Sequence, residues 1–265
     1  MPLRLNGTLR DALAAATGPL YGGWICMGSA TSAEIMAGSG LDWVLVDMEH
    51  VPNGLESVVA QLHAIAGYRT TPVVRVPSGD AVVIKQVLDL GAQTILVPMV
   101  STAEQARTVA AAAQYPPAGI RGVGSALARS ARWNRVEGYL LDGATHVSVF
   151  VQIETTEGVD NARSIAETPG IDGVFLGPSD LAASMGLLGQ QTHPDVVARV
   201  EQAFSEVLPT GKFIGVNAFV AEQARHYVEA GASFVLVGAD VALLARGSEA
   251  LAAQYASGDG HRESY

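Results

Sequence analysis

Polar side chains in this sequence recur at the ends of short apolar runs, where they would meet solvent and a substrate. Asp47, Glu49 and His50 follow "WVLV", Arg75 sits inside "PVVRVP", and Gln152 and Glu154 fall in "VFVQIET". Gly177, Ser179 and Asp180 lie in "FLGPSD", Asn217 follows "FIGV", and Trp24 belongs to the first such run. Two carboxylates with no His or Cys ligand cluster beside them suit a hard divalent cation, Mg²⁺ or Mn²⁺, which prefers oxygen and keeps positions open for water and a bidentate substrate. Glu154 and Asp180 are the candidate pair. Each also has a plain structural reading, Glu154 in an ion pair with a helix residue and Asp180 as the N-cap of a helix after Pro178. Arg75 is a lone cation among apolar residues, and burying it unpaired would be costly. It must face an anion, either a protein carboxylate or a substrate. His50 follows two carboxylates, Asp47 and Glu49, either of which could orient it and raise its basicity. A lone histidine is also often purely structural.

Such residues need a frame that gathers them. Along the chain, short apolar β-branched runs alternate with longer alanine-rich helical stretches, the signature of βα units and a parallel sheet. Strands are expected at 21–26, 43–47, 72–76, 94–97, 147–153, 173–176, 213–216 and 234–237. Helices are expected at 55–66, 82–90, 103–113, 195–207, 221–230 and 241–254. Several strands are apolar along their whole length, as strands buried on both faces should be. Eight of them in 265 residues fit one α/β chain folded as a (β/α)8 TIM barrel, which typically takes about 250 residues. An open doubly wound sheet fits less well, because no glycine-rich phosphate fingerprint follows the first strand. Barrel chemistry gathers at the C-terminal ends of the strands, where the polar residues named above fall. Glu154 and Asp180 are 26 positions apart, and Asp47 and Arg75 are 28 apart. Each spacing is about one βα repeat, so each pair is expected at equal height on neighbouring strands. Gly91 and Gly231 read as left-handed helix C-caps. Gly177 and Pro178 open a helix whose free amides would attract a carboxylate or phosphate, unless Ser179 and Asp180 only cap it.

One domain is expected over 1–256, with long connections at 115–146 and 177–194 and a loose polar tail at 257–265. Long connections in a barrel carry function or subunit contacts. A net charge of −10 argues against a nucleic-acid partner, which needs a basic face. The single cysteine, Cys26, fits a reducing cytoplasm. No stretch reads as a signal peptide or approaches the roughly 18 apolar residues of a membrane span.

Together "VDMEH", "VVRV", "IKQVLDLGAQTILVPMV", "YPPAGIRGVGSALARSARWNR", "VQIET" and "GVFLGPSDLAASMG" resemble the HpcH/HpaI family of class II pyruvate aldolases. These act on 4-hydroxy-2-oxoheptane-1,7-dioate and related 2-keto-3-deoxy sugar acids. The similarity runs from about Trp24 to Arg246. It implies a barrel of the phosphoenolpyruvate/pyruvate-domain type and a divalent cation (Mg²⁺, Mn²⁺ or Co²⁺) held by Glu154 and Asp180. Arg75 would contact the substrate keto oxygen, Asp47 and His50 would take part in proton transfer, and Gln152 would support the site. Amides around Gly177–Ser179 would receive the pyruvate carboxylate, with Trp24 and Asn217 among the substrate-binding residues. Pyruvate, or hydroxypyruvate, would add reversibly to an aldehyde, and the family's hexamers imply a homohexamer here. Met48 stands where relatives often have glycine and Ser179 where alanine is common. Asn217 and Phe219 replace more aliphatic residues, which bears on the acceptor and not on the reaction class. A Schiff-base mechanism needs a lysine at a strand end. The two lysines fall elsewhere, Lys85 on an expected helix and Lys212 at the start of the seventh strand. An acyl-CoA lyase on a related barrel is the alternative activity; it needs cations for a nucleotide, and the one candidate cluster is Arg121–Arg135.

Overall fold

The computed structural model of the chain describes Leu3 and residues 5–256; the expected tail at 257–265 lies outside the described residues. Eight strands, β1 (Leu20–Ile25), β2 (Trp43–Asp47), β3 (Thr71–Arg75), β4 (Thr94–Val97), β5 (Ser148–Ile153), β6 (Gly173–Leu176), β7 (Phe213–Asn217) and β8 (Phe234–Ala239), are parallel and close in sequence order into a barrel. The helices are α1 (Leu9–Ala15), α2 (Ala30–Ala37), α3 (Leu55–Ile65), α4 (Ala81–Asp89), α5 (Ala103–Ala113), α6 (Thr156–Asp160), α7 (Ala162–Ala166), α8 (Pro178–Ser184), α9 (Pro194–Val207), α10 (Ala221–Glu229) and α11 (Asp240–Ala256). All eight expected strands form, three with the expected bounds and the others shifted by one or two residues. The sequence pattern did not announce α1, α2, α6 or α7, which are five to eight residues long, too short for a sustained helical period to show.

The period of two along each strand builds the interior. On β2, Val44 and Val46 face the helices, whereas Trp43 and Leu45 join Val73, Leu96, Phe150, Phe175 and Phe234 in the barrel's own core. Phe234 packs against Trp43, Phe150 and Phe175 at centroid distances of 5.3–5.8 Å. Glycines make room for these rings. A Cβ on Gly22 would lie 2.2 Å from the Trp43 ring, and one on Gly215 would lie 2.4 Å from Phe234. The same period carries Asp47, Arg75, Gln152 and Asn217 onto the inward rows at the C-terminal end.

The opposite end is closed by α1, whose Leu9 and Leu13 are buried in that same core. Arg10 fastens the helix to the barrel, with Nη1 donating to Val147 O (3.1 Å) and pairing with Asp172 (3.3 Å). Cavities of about 590 and 210 Å³ open at this end, lined by residues such as Tyr68 and Thr70, and Arg10 and Asp172, respectively. The long connection at 115–146 joins α5 to the start of β5, so it too lies at the closed end. It is a chain of turns ending in a 3₁₀ turn at Gly143–His146. Arg121 is buried there, paired with Asp89 at 2.8 Å and stacked on Tyr115. The stretch at 177–194, by contrast, opens at the mouth and begins as helix α8. Gly91 and Gly231 adopt left-handed backbones (φ 96° and 111°) just past α4 and α10, as expected of C-caps.

Candidate active site

Strand register places the first pair as expected: Asp47 is directly opposite Arg75. Asp47 accepts from Arg75 Nε at 2.7 Å and from Nη2 at 2.8 Å, a bidentate clamp, and is 2% exposed. Burial alone would raise the Asp47 carboxyl. The guanidinium, with the Glu49 and His50 amides, outweighs it and holds the group below its usual range. Glu49 Oε2 lies 2.8 Å from Arg75 Nη1, within ion-pair distance although not aligned for a hydrogen bond. Beneath the guanidinium, the Trp24 ring sits 4.2 Å away in cation–π contact, and Trp24 Nε1 donates to Asn217 Oδ1 at 3.0 Å. Trp24 is thus a platform for Arg75, and Asn217 holds the platform.

The second pair differs from expectation. Ile153 pairs with Leu176, so Glu154 stands beside Gly177 and not beside Asp180. Asp180 lies in the first turn of α8, past the strand end, and faces solvent. The repeat from β5 to β6 is 23 residues (Ile153 to Leu176), shorter than the 26 expected, and β6 then passes into α8 with a single residue between. Charge still links the two residues, since Asp180 adds to the repulsion felt by Glu154.

Glu154 is 2% exposed and its carboxyl is pushed up to about 7. Burial is the main cause, and Asp180 and Glu49 add to it. A hydrogen bond from the Met99 amide (2.8 Å) and one from the Gln152 side chain only partly offset it. Met99 reaches its position with a left-handed backbone, φ 58°, uncommon for a residue with a side chain. Gln152 Oε1 is buried without a partner. Gly177 must lack a side chain, because a Cβ there would come within 2.8 Å of Glu154 Oε2 and 3.0 Å of Gln152 Nε2. Its N–H is not free, however. It donates to Ile153 O at 3.1 Å, and Pro178 has none, so the open amides of this turn are those of Ser179 and Asp180.

His50 stands at the rim with its side chain 63% exposed, its Nε2 3.7 Å from Glu49 Oε2. Asp47 meets the His50 backbone amide (3.4 Å) and not the imidazole, so the aspartate–histidine pair is not a side-chain dyad. Neither lysine reaches the mouth: Lys85 lies on α4, and Lys212 precedes β7 with Nζ on Ile171 O at 2.6 Å.

Three supporting residues were not singled out from the sequence. Asn53 Nδ2 donates to Asp47 O at 2.6 Å and fixes the turn after β2. Met99 supplies its amide to Glu154, and no residue type announces a left-handed amide donor. Asp240, just past β8, accepts from the amides of Cys26 (2.8 Å) and Met27 (3.2 Å) and from the Ser32 hydroxyl (2.6 Å), clasping the turn after β1. Reading strand ends for carboxylates, as was done for the other strands, would have found it.

A parallel barrel that gathers buried carboxylates and an arginine at the C-terminal ends of its strands is an enzyme's scaffold. The model of the HpcH/HpaI aldolase/citrate lyase family matches residues 20–247. The chain is 50% identical over 251 residues to a 4-hydroxy-2-oxo-heptane-1,7-dioate aldolase of Salmonella dublin, covering 95% of each chain. The solved structure of an HpcH/HpaI aldolase/citrate lyase family protein from Burkholderia cenocepacia J2315 superposes with a TM-score of 0.89 at 38% identity, covering 94% of this chain and 99% of that one. That of an HpcH/HpaI aldolase from Desulfitobacterium hafniense DCB-2 gives 0.88 at 26% identity, covering 97% and 100%. The chain belongs to the HpcH/HpaI aldolase/citrate lyase family. It is a carbon–carbon lyase of the aldolase type.

Proposed function

We propose that this enzyme is a class II pyruvate aldolase that reversibly adds C3 of pyruvate, or of hydroxypyruvate, to an aldehyde, with a divalent cation (Mg²⁺, Mn²⁺ or Co²⁺) held by Glu154 and Asp180. The carrying observation is Glu154, a buried carboxylate raised to about 7 with no protein cation against it and two further carboxylates adding to its repulsion. A divalent cation supplies the missing charge. The orphaned Gln152 Oε1 fits an added polar group, and Gly177 has no side chain to crowd Glu154 Oε2. Among the described residues no three His, Cys, Asp or Glu side chains gather at one point, so substrate and water would complete the coordination. When bound, the cation acts as a Lewis acid on a chelated 2-oxo acid.

The chain's own residues define the remaining roles. Asp47 occupies two of the five N–H positions of Arg75 and Glu49 lies against Nη1 without an aligned hydrogen bond, which leaves N–H groups on the terminal nitrogens for a keto oxygen as negative charge develops there. The Ser179 and Asp180 amides receive the substrate carboxylate, and Gln152 keeps Glu154 in place. His50, at the rim, moves the C3 proton or that of the new hydroxyl, directly or through water. Asp47 serves by fixing Arg75 and the His50 backbone. Asn217 spends Oδ1 on Trp24, which leaves Nδ2 for a substrate hydroxyl. The acceptor meets a rim with exposed Met99 and Phe219 and few polar groups, which favours breadth in the aldehyde.

Leu127 and Leu141 of the long connection are 87% and 92% exposed, and Leu243, Leu244 and Leu251 project from α11. These apolar faces support a homo-oligomer, a hexamer on the family pattern. The lone, half-buried Cys26 fits a cytoplasmic enzyme. No helix among the described residues is long and apolar enough to cross a membrane. For the acyl-CoA lyase alternative, the required cations are not at the mouth. Arg121 is sealed on Asp89, and Arg129 and Arg132 donate to the backbone carbonyls of Leu90 and Arg129 at the closed end.

The test is a pyruvate–aldehyde assay over a panel of acceptors after dialysis against EDTA and after adding back each cation. Product only with cation, and no protein adduct after borohydride, is expected. Full activity without cation, or a trapped adduct, overturns the reading.

A further inference from the structure

We propose that Glu49 is the positioning residue that ties Arg75 to His50, holding the guanidinium on the edge that Asp47 leaves open and the imidazole at the rim. The inference rests on the aldolase reading above. Asp47 takes Arg75 Nε and Nη2, so Nη1 is the nitrogen without a partner on Asp47. Glu49 Oε2 lies 2.8 Å from that nitrogen and 3.7 Å from His50 Nε2. Among the described residues it is the one carboxylate within ion-pair distance of both groups.

Asp47 cannot take this second role. Its oxygens are committed to Arg75 and to the amides of Glu49 (3.0 Å) and His50 (3.4 Å). Those amide bonds also fix the backbone from which the Glu49 side chain reaches back into the mouth. The two carboxylates on Arg75 are therefore unlike. Asp47 is bidentate, buried and well satisfied. Glu49 Oε2 is buried but has no aligned hydrogen bond, and burial, together with Asp47 and Asp180, raises its carboxyl against the pull of Arg75 and His50. A buried oxygen so poorly satisfied adds little to stability and calls for another explanation. Its two neighbours supply one, because both are groups the reaction uses. Arg75 must keep its free N–H groups turned to the substrate, and His50, otherwise unsupported at the surface, needs a partner to orient its ring.

The experiment compares wild type with Glu49→Gln, Glu49→Asp, His50→Ala and the Glu49→Gln/His50→Ala double variant, all loaded with Mn²⁺. Three quantities are read: aldol kcat and KM, exchange of the pyruvate C3 protons in D₂O without aldehyde, and Mn²⁺ affinity by calorimetry. Gln keeps the size and removes the charge. It is expected to lower kcat and C3 exchange about 10- to 100-fold, the usual cost of losing a partner that orients a catalytic group. Pyruvate KM should change less than about threefold, since ground-state binding is not what is lost. Asp should recover part of the rate, and the Gln effect should shrink when His50 is already gone. Unchanged kcat and exchange with a lowered Tm would overturn the proposal and leave Glu49 a structural residue. A Mn²⁺ affinity lowered about tenfold or more would overturn it by making Glu49 a ligand. A wild-type enzyme that neither exchanges C3 protons nor forms product would remove the aldolase reading itself, and this inference with it.

Discussion

The two ends of this barrel are built on opposite principles. At the closed end the charges are paired and the strand hydroxyls bonded: Arg10 pairs with Asp172, Arg121 with Asp89, the Leu9 amide donates to Thr94 Oγ1 at 2.9 Å, and Thr94 meets Ser148 at 2.9 Å. At the mouth Arg75 pairs with Asp47 and Glu49 but not with Glu154 or Asp180, the Glu154 carboxyl is lifted to about 7, and Met99 takes a left-handed backbone to donate to it. The closed end contributes stability. The mouth forgoes some of it to keep charge uncompensated until a ligand arrives, a difference that substitutions at each end should expose.

Glu154→Gln should have the largest effect on the reaction, lowering kcat by about 10³ or more, because it removes both the proposed cation ligand and charge in the dry part of the mouth. Calorimetry should show Mn²⁺ binding lost with it. Retained Mn²⁺ affinity would move the cation site elsewhere and dissolve the contrast. Next comes Arg75→Ala, expected to cost about 10²–10³ in kcat. It should also cost about 3–5 kcal/mol of stability, because it strands Asp47 as a buried, unpaired carboxylate. Denaturant melts beside the kinetics check both halves, and an unchanged melt would show that Asp47 is not dependent on its partner. At the closed end, Leu13→Ala should lose about 2–5 kcal/mol through a core cavity with kcat nearly unchanged. A large kcat loss there would mean the two ends are coupled.

The smallest effect concerns pH. Glu154 is raised in the folded state above its usual 4.5 to about 7. The cation-free folded chain therefore binds more protons than the unfolded chain between those values, and this group's contribution makes stability fall as pH rises through that window, by at most about 3 kcal/mol. Melts of EDTA-treated enzyme at pH 6 and 8 should show the decline, and added Mn²⁺ should stabilise more at pH 8. A flat profile without cation would say that Glu154 is not the strained group of the mouth.

Much of this was legible beforehand, and the reason is physical. Apolar strands buried on both faces and polar residues at their C-terminal ends identify a barrel and its mouth, and on β2 and β3 the spacing alone set Asp47 opposite Arg75. On β5 and β6 the same spacing misplaced Asp180, because residue counts do not reveal that the short helices α6 and α7 cut the repeat to 23 residues and that β6 passes almost directly into α8. Residue types also could not show that Asp47 holds the His50 backbone while Glu49 faces its ring, nor that the Gly177 amide is already engaged in strand pairing. Those facts depend on backbone direction within a turn, where a single dihedral redirects a side chain. The long connection at 115–146 was marked by its length, but its place at the closed end follows from its lying between a helix and the next strand.

Asp240 gives the barrel a seam. The carboxylate that completes the turn after β1 arrives about two hundred residues later in synthesis, on the far side of the last strand. Until β8 emerges, the amides of Cys26 and Met27 and the hydroxyl of Ser32 have no carboxylate to meet, and Trp24, one turn away, supports Arg75 from an unlatched edge. The mouth is thus finished only once the residue after β8 has been made, and a product cut short before that aspartate would hold Asp47, Arg75, Gln152 and Glu154 without the clasp on the turn after β1.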